Sequence, residues 1–398
     1  MVIKQKQKLK KSMLLASLLL AGTAQAGEFS GNVSLEGRYF LDDGAYTGQK
    51  AGGLSLSLQP EYKHKWDNDH NVFTFSPFYR WDGKDDERTH GDIRQLDLTM
   101  AKGDWEFQAG ISRVFWGVTE SQHLVDIINQ TDGVEGIDGE DKLGQPLFKV
   151  SRLNDNGDVS FYILPYFRER TFASSAGRFR GALPVDTKDV SYESSKKEKH
   201  VDFAVRLNHT FDEIDVGLSY FDGTSRAPEF TPDIVNGVLK QHYPLIKQVG
   251  LDLQYTGEEW LLKLEAINRE SKKDNYTAAV GGFEYSIPGI TESGADLGLL
   301  AEYHHDSRGE SLNAPFQNDL FLGARFSLND VDGTEFLAGT FVDLDNQTKS
   351  FRVEGSRRIG KGLKLNIEAQ TFMDVDKNDP LNNVKKDGFV QIELQKYF

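Results

Sequence analysis

Apolar and polar side chains alternate along most of this chain. The clearest run is 363–370 (LKLNIEAQ), where the odd positions are apolar and the even positions are Lys, Asn, Glu and Gln. Similar runs occupy 33–41, 54–62, 73–81, 201–211 and 249–255. A period of two with a charged second face is typical of β-strands that meet water on one side. The pattern predicts an all-β protein of about 18 strands, with 16 as the alternative.

The connections between the predicted strands alternate between long and short. The long ones are 42–53, 82–91, 116–145, 169–199, 223–243, 304–314 and 374–388, and the short ones include 102–104, 154–157, 256–258 and 358–362. Long external loops and short periplasmic turns are typical of bacterial outer-membrane barrels. In lipid, strands satisfy their backbone groups only within a closed barrel. We therefore predict a transmembrane antiparallel β-barrel in the outer membrane of a Gram-negative cell.

The N-terminus has the features of a secretory signal peptide. Five lysines precede or border the short apolar segment 13–21, and Ala24-Gln25-Ala26 fits the small-x-small cleavage rule. We predict a signal peptide at 1–26 and a single barrel domain at 27–398. The chain has no cysteine, which excludes disulfides and thiolate chemistry, and its formal net charge of -15 disfavours nucleic acid as a partner.

The segment 116–145 interrupts the alternation. It is rich in acids, namely Glu120, Asp126, Asp132, Glu135, Asp138, Glu140 and Asp141. Leu124, Val125 and Ile128 fall at helical spacing after Thr119, a candidate N-cap, which predicts a short helix followed by an acidic loop. We expect this segment to fold into the barrel lumen, with Asp138, Glu140 and Asp141 in a solvated part of the loop.

By the order of the connections, 116–145 is the third external loop. Its start, Trp116-Gly117 followed by Glu120-Ser121, resembles the W-G-x-x-E-S segment of alginate-exporter-like bacterial barrels. The architecture resembles the porin group, whose third loop folds inward and narrows the channel. The resemblance implies a constriction where loop acids face arginines of the wall, and charges at a narrow point set the selectivity of pores. The residues implied are Glu120, Asp126 and Asp132 opposite Arg38, Arg80, Arg206, Arg325 and Arg352.

The function that this resemblance implies is passive diffusion of small hydrophilic solutes, with acidic solutes and carbohydrates among the candidates. Two alternatives stay open, a structural or adhesive barrel whose lumen is plugged by its loops, and a component of an export system. Besides the solutes, the expected partners are outer-membrane lipid and lipopolysaccharide. The sequence leaves a homo-oligomer open.

The chain ends on a predicted strand, FVQIELQKYF. Val390, Ile392 and Leu394 share its apolar face, and Phe398 is the last residue. This ending resembles the C-terminal strand signal of outer-membrane barrels, which implies the barrel assembly machinery as a further partner. Lys396 departs from the signal, because that position is usually apolar or aromatic.

Other chemistry has little support, and we predict no enzyme, no cofactor and no metal site. Asp374, Asp376 and Asn378 begin like a calcium loop, but Asp379 replaces the required glycine and Lys385 stands where the bidentate glutamate belongs. The sequence His304-His305-Asp306 lacks a second acidic pair, so catalysis is not expected there.

Overall fold

The computed structural model describes residues 27–309 and 314–398, so the predicted signal peptide at 1–26 lies outside the described residues. Its strands are β1 (Glu28–Phe40), β2 (Gly52–Trp66), β3 (Asn71–Asp82), β4 (His90–Lys102), β5 (Trp105–Ser112), β6 (Gln145–Asn154), β7 (Gly157–Leu164), β8 (Val185–Tyr192), β9 (Asp202–Phe211), β10 (Ile214–Thr224), β11 (Glu229–Asp233), β12 (Val238–Tyr243), β13 (Leu245–Thr256), β14 (Trp260–Ser271), β15 (Asn275–Ile287), β16 (Asp296–Asp306), β17 (Asn318–Ser327), β18 (Glu335–Asp343), β19 (Lys349–Ile359), β20 (Leu363–Met373) and β21 (Phe389–Tyr397). Two short 3₁₀ helices cover Lys197–Lys199 and Pro380–Asn383. No helix in the described ranges is both long and apolar enough to cross a bilayer.

Eighteen of these strands form one sheet that closes on itself. Each pairs with its neighbours antiparallel, and the barrel closes where β1 meets β21, with Leu35 opposite Leu394. Closure pairs the two strands that would otherwise be free sheet edges. The predicted antiparallel barrel of about 18 strands is confirmed.

The alternation separates an outer from an inner face of the wall. On β1, Val33 and Leu35 are exposed on the outside at 36% and 51%, whereas Ser34 and Glu36 are buried inside at 1% and 3%. An outward apolar band and a polar interior are the arrangement of membrane barrels. The polar face predicted to meet water therefore lines the lumen, where much of it is covered by loops.

The long connections all lie at one end of the barrel. Two of them, between β7 and β9 and between β10 and β13, carry the remaining strands β8, β11 and β12, which form a separate three-stranded sheet. In it β12 pairs with β8 in parallel and with β11 antiparallel. The sequence predicted only loops here, because these strands are short and lack the alternation of the wall.

The connection between β5 and β6, residues 113–144, is the third external loop, and it folds into the barrel as expected. The predicted helix is wrong, because this segment consists of bends and turns with one isolated bridge between Thr131 and Lys142. Val125 and Ile128 are fully buried at 0% exposure and pack in one hydrophobic cluster with inner-wall residues such as Phe221 and Ile267. The apolar residues at helical spacing therefore contact the wall from an irregular, non-helical backbone.

Candidate functional site

Two wall carboxylates anchor the first half of the third loop. Glu265 on β14 accepts hydrogen bonds from the backbone N–H groups of Val118 (2.7 Å), Thr119 (3.1 Å) and Val125 (3.1 Å), and from the Thr119 hydroxyl (2.7 Å). Its side chain is fully buried. Hydrogen bonds to a charged acceptor are stronger than neutral ones. Glu265 therefore fixes the path of this loop across the lumen.

Glu302 on β16 continues the anchor. Its carboxylate accepts the N–H groups of Glu120 (2.8 Å) and Ser121 (2.9 Å) and the Ser121 hydroxyl. The hydroxyl also lies 2.8 Å from Nε2 of His304, but it already binds a carboxylate, which makes it a structural contact. Both glutamates lie on the inner face of the wall, but nothing in the sequence shows which loop they bind.

The W-G-x-x-E-S residues have distinct positions in this anchor. Trp116 is buried against Tyr162, and the guanidinium of Arg206 lies over its ring at 5.1 Å from the centroid. A Cβ at Gly117 would come within 2.8 Å of the Glu265 carboxylate, and φ is +140° there, so glycine is required. The motif seats the loop on the wall and presents Glu120 to the lumen.

A second set of ion pairs holds the other half of the loop to the opposite wall. Asp132, fully buried, accepts bonds from Arg94 (2.6 Å), His90 (3.0 Å) and the Thr171 hydroxyl (2.7 Å). Burial alone would raise its pKa, but the His90 hydrogen bond and the positive charge of Arg94 lower the pKa to about 2. Asp132 is therefore an ionised structural anchor.

Two further ion pairs cross from the loop to the wall of β17 and β19. Glu120 lies 2.8 Å from Nη2 of Arg325, and Asp138 lies 2.7 Å from Nη2 of Arg352. Arg352 also contacts Glu368, at 3.0 Å. The side chains of Glu120, Asp138, Arg325 and Arg352 are 21–32% exposed, in contrast to the buried anchors. These charges therefore meet the aqueous lumen.

Three cavities follow one another along this gap. An outer cavity of about 230 Å³ near the long loops shares His123, Asp138 and Glu140 with a central cavity of about 430 Å³. The central cavity shares Glu120 and Glu354 with an inner cavity of about 340 Å³ near the short turns. The three cavities therefore lie side by side between the third loop and the wall, with lining residues in common.

Acids outnumber bases along the central and inner cavities. Among the described residues, the acids that line them are Glu120, Asp138, Glu140, Glu335, Glu354, Glu368 and Glu393, and the lysines and arginines are Arg325, Arg352 and Lys364. Low-dielectric walls around like charges raise the local concentration of counter-ions. The imbalance makes the walls of these two cavities net negative.

The predicted site residues are divided between these environments. Glu120, Arg325 and Arg352 come together at the central and inner cavities. The side chains of Asp126 and Asp132 are buried inside the third loop. The Asp126 carboxylate is 1% exposed and lies 3.0 Å from Nζ of Lys142. Burial raises the pKa of Asp126, and the positive charge of Lys142 opposes this rise.

The other three predicted arginines do not line these three cavities. Arg80 pairs with Glu135 (2.7 Å), Arg206 pairs with Asp252 (2.8 Å), and Arg38 donates to Gln391 (2.6 Å). Arg38 and Arg80 line a fourth cavity of about 250 Å³ beside β1 and β21, which shares Asp138 with the central cavity and Glu368, Gln391 and Glu393 with the inner one.

Asp138 and Asp141 are exposed, as expected of acids in a solvated part of the loop. The sequence did not predict the ion pair of Asp138. Its partner Arg352 lies 214 positions further along the chain.

The C-terminal residues lie where the barrel closes. Val390, Ile392 and Leu394 face outward with exposures of 39%, 53% and 39%. The Phe398 ring packs 5.7 Å from Phe29 of β1. Their recognition by the barrel assembly machinery stays a prediction.

Asp141 gives the loop a testable dependence on pH. Partial desolvation inside the barrel, together with the negative charges of Glu135 and Asp138, raises its pKa to about 7. Because the unfolded carboxyl titrates near 3.8, ionisation of Asp141 disfavours the folded state progressively from about pH 4 to pH 7. We expect Asp141→Asn to raise the melting temperature at pH 8 and to lose this advantage toward pH 4. Thermal unfolding at several pH values checks this; Asp212→Asn, in an exposed turn, is the control, and a difference independent of pH would contradict it.

Comparisons with known proteins identify the fold of the chain but do not assign it to a family. No protein-family model matches the chain, and no curated protein matches its sequence. Wzi, an outer-membrane protein involved in group 1 capsule assembly in Escherichia coli and described as a carbohydrate-binding β-barrel, is 10% identical, with 91% of this chain and 83% of Wzi covered and a TM-score of 0.53. Engineered variants of Rhodobacter blastica porin are 13% and 12% identical, with 94% of this chain and 100% of theirs covered and a TM-score of 0.44. At these identities the likeness to Wzi concerns the fold alone, an outer-membrane β-barrel.

Proposed function

We propose that the protein is an outer-membrane channel for passive diffusion of small hydrophilic solutes. The observation that carries this proposal is the chain of three water-accessible cavities between the third loop and the wall. A barrel of 18 strands has room for an aqueous lumen even when one loop occupies part of it. The loop narrows the passage and leaves a polar route beside it.

The constriction in this proposal consists of Glu120 with Arg325 and Asp138 with Arg352. Both pairs bridge loop and wall at the central cavity or its border with the inner one. The excess of carboxylates along this route favours neutral and cationic solutes over the acidic solutes expected from the sequence resemblance. Charged rings at a narrow point act in this way in other pores.

Swelling of proteoliposomes tests this function. We expect liposomes that contain the folded protein to swell quickly in a pentose, more slowly in a hexose and least in a trisaccharide, because larger solutes pass a constriction less readily. Protein unfolded by heat before reconstitution is the control. Absence of swelling in the pentose, with protein that still shows heat-modifiable gel mobility, would contradict the channel.

A carbohydrate-binding barrel with a closed lumen is the second candidate. It is supported by the fold shared with Wzi and by the number of buried ion pairs that tie the loops together, such as Arg178 of the fourth loop with Asp387 of the ninth at 2.5 Å. An aromatic patch of Phe321 and Phe341 also lines the central cavity. Saccharide binding without swelling or ion conductance would favour this candidate.

A further inference from the structure

Three buried aspartates converge at the outer end of the barrel, apart from the proposed channel. Asp319 near the start of β17 stands directly opposite Asp343 at the end of β18. Asp379 lies in the ninth loop, before the 3₁₀ helix Pro380–Asn383. Their exposures are 3%, 2% and 4%. Asn346 of the eighth loop, whose Nδ2 donates to Asp379 at 3.1 Å, brings the eighth and ninth loops together.

None of these three carboxylates has an ion pair with a described lysine, arginine or histidine, and Asp343 and Asp379 are the charged neighbours of Asp319. Four other buried aspartates are neutralised within 2.9 Å, namely Asp132 by Arg94, Asp202 by Arg226, Asp252 by Arg206 and Asp387 by Arg178. Like charges directly opposite each other on paired strands are destabilising, and buried carboxylates without a counter-charge are costly. A cation bound between the three aspartates would offset their mutual repulsion.

Gln317 adds an independent oxygen at the same place. It is 4% exposed, and its Nε2 donates to Asp343 at 2.8 Å. Its Oε1 is buried and has no hydrogen-bond partner among the described residues. A buried carbonyl oxygen without a donor is rare in proteins, and one beside a carboxylate is suited to a cation.

We propose that Asp319, Asp343, Asp379 and Gln317 form a calcium site that joins the seventh, eighth and ninth loops. Calcium takes six to eight oxygen ligands from carboxylates, amide carbonyls and water in flexible geometry, whereas magnesium requires a tighter octahedron and retains more water. The set contains oxygens only, which disfavours zinc and copper. The residues come from two strand ends and two loops, so the site needs neither the glycine nor the glutamate that the segment 374–385 lacks.

A second group, which consists of one histidine and two acids, is a weaker candidate for a metal site. Donor atoms of His90, Asp132 and Glu135 lie within 4.8 Å of one another. Arg94 and Arg80 already neutralise its two carboxylates, at 2.6 and 2.7 Å.

The carboxylate oxygens of Asp319, Asp343 and Asp379 are further apart than the donor atoms of this second group. Calcium binding would therefore draw the three side chains together.

Calcium binding to the folded protein in detergent, after treatment with a chelator, tests the proposal independently of conduction. Titration calorimetry with CaCl₂ should give one site with a Kd on the order of 10⁻⁴ to 10⁻³ M, typical of extracellular modules, and much weaker binding of MgCl₂. The melting temperature should rise with CaCl₂ until the site is saturated. Asp319→Asn and Asp343→Asn should each weaken calcium binding at least about tenfold, because each removes a charged ligand.

Asp374→Asn, an exposed acid of the same ninth loop whose side chain is 66% exposed, is the matched control and should bind calcium like the wild type. In chelator the two aspartate variants should melt higher than the wild type, because each removes a buried repulsion. If either fails to fold, Gln317→Ala, which removes only a neutral ligand, replaces it and should weaken binding. Absence of calcium binding by the wild type, or unchanged binding in the folded variants, would overturn the proposal.

Discussion

Replacing Glu120 and Asp138 with their amides, in the double variant E120Q/D138N, should lower the preference of the pore for K⁺ over Cl⁻ by several-fold. The two acids belong to the excess of carboxylates along the central and inner cavities. Their loss leaves Arg325 and Arg352 with fewer counter-charges, and both arginines keep hydrogen-bonding partners of similar shape. Since the change affects charge more than size, the conductance in symmetric salt should change less than the selectivity.

The measurement is the reversal potential under a KCl gradient in a planar bilayer. Low ionic strength enlarges the effect, because salt screens exposed charges over about 10 Å at 0.1 M. Asp374→Asn is the matched control, since it removes a negative charge outside the three cavities. An unchanged reversal potential in the double variant would show that these acids do not border the conducting path.

Replacing Glu265 with alanine should release the third loop from the wall. The change leaves the N–H groups of Val118, Thr119 and Val125 without their acceptor in a buried place. Each unsatisfied buried donor costs about 1–3 kcal/mol, so the docked loop loses roughly 3–9 kcal/mol. The barrel itself should persist, because the backbone ladder of β14 with β13 and β15 does not involve this side chain.

The released loop should give larger and noisier single-channel currents, together with protease cleavage within 113–144 that the wild type resists. Glu270→Ala, an exposed acid on the same strand, is the control and should leave both properties unchanged. Glu265→Gln retains one acceptor and should give an intermediate effect. Wild-type currents and protease resistance in Glu265→Ala would contradict the anchoring role.

The wall could be predicted from the sequence because a strand imposes a period of two on every residue. Ser34 and Leu35 face opposite sides whatever their distant partners are, so local pattern determines their environment. The order of long and short connections then identified the third loop. These signals are repeated around the barrel, so an error in predicting one strand changes the predicted architecture little.

The path of the third loop could not be predicted in the same way. Its contacts join residues far apart in sequence, such as Thr119 with Glu265, 146 positions later. Val125 and Ile128 suggested a helix because their spacing fits one, but hydrogen bonds from the loop backbone to Glu265 and Glu302 replace those of a helix. Asp132 and Arg206 have the residue types expected of a constriction, and only the structure places them in buried pairs.

The central claim is that water and solutes pass between the third loop and the wall of β17 to β19. Since the chain has no cysteine, a single introduced cysteine reports on one position alone. Glu354→Cys places a thiol on the central and inner cavities, and Val353→Cys places one on the opposite face of the same strand. Single-channel current is measured before and after a charged, water-soluble methanethiosulfonate is added. We expect a stepwise loss of current for Glu354→Cys and no change for Val353→Cys. An equal response of the two variants, or no current from the folded protein, would contradict passage along this route.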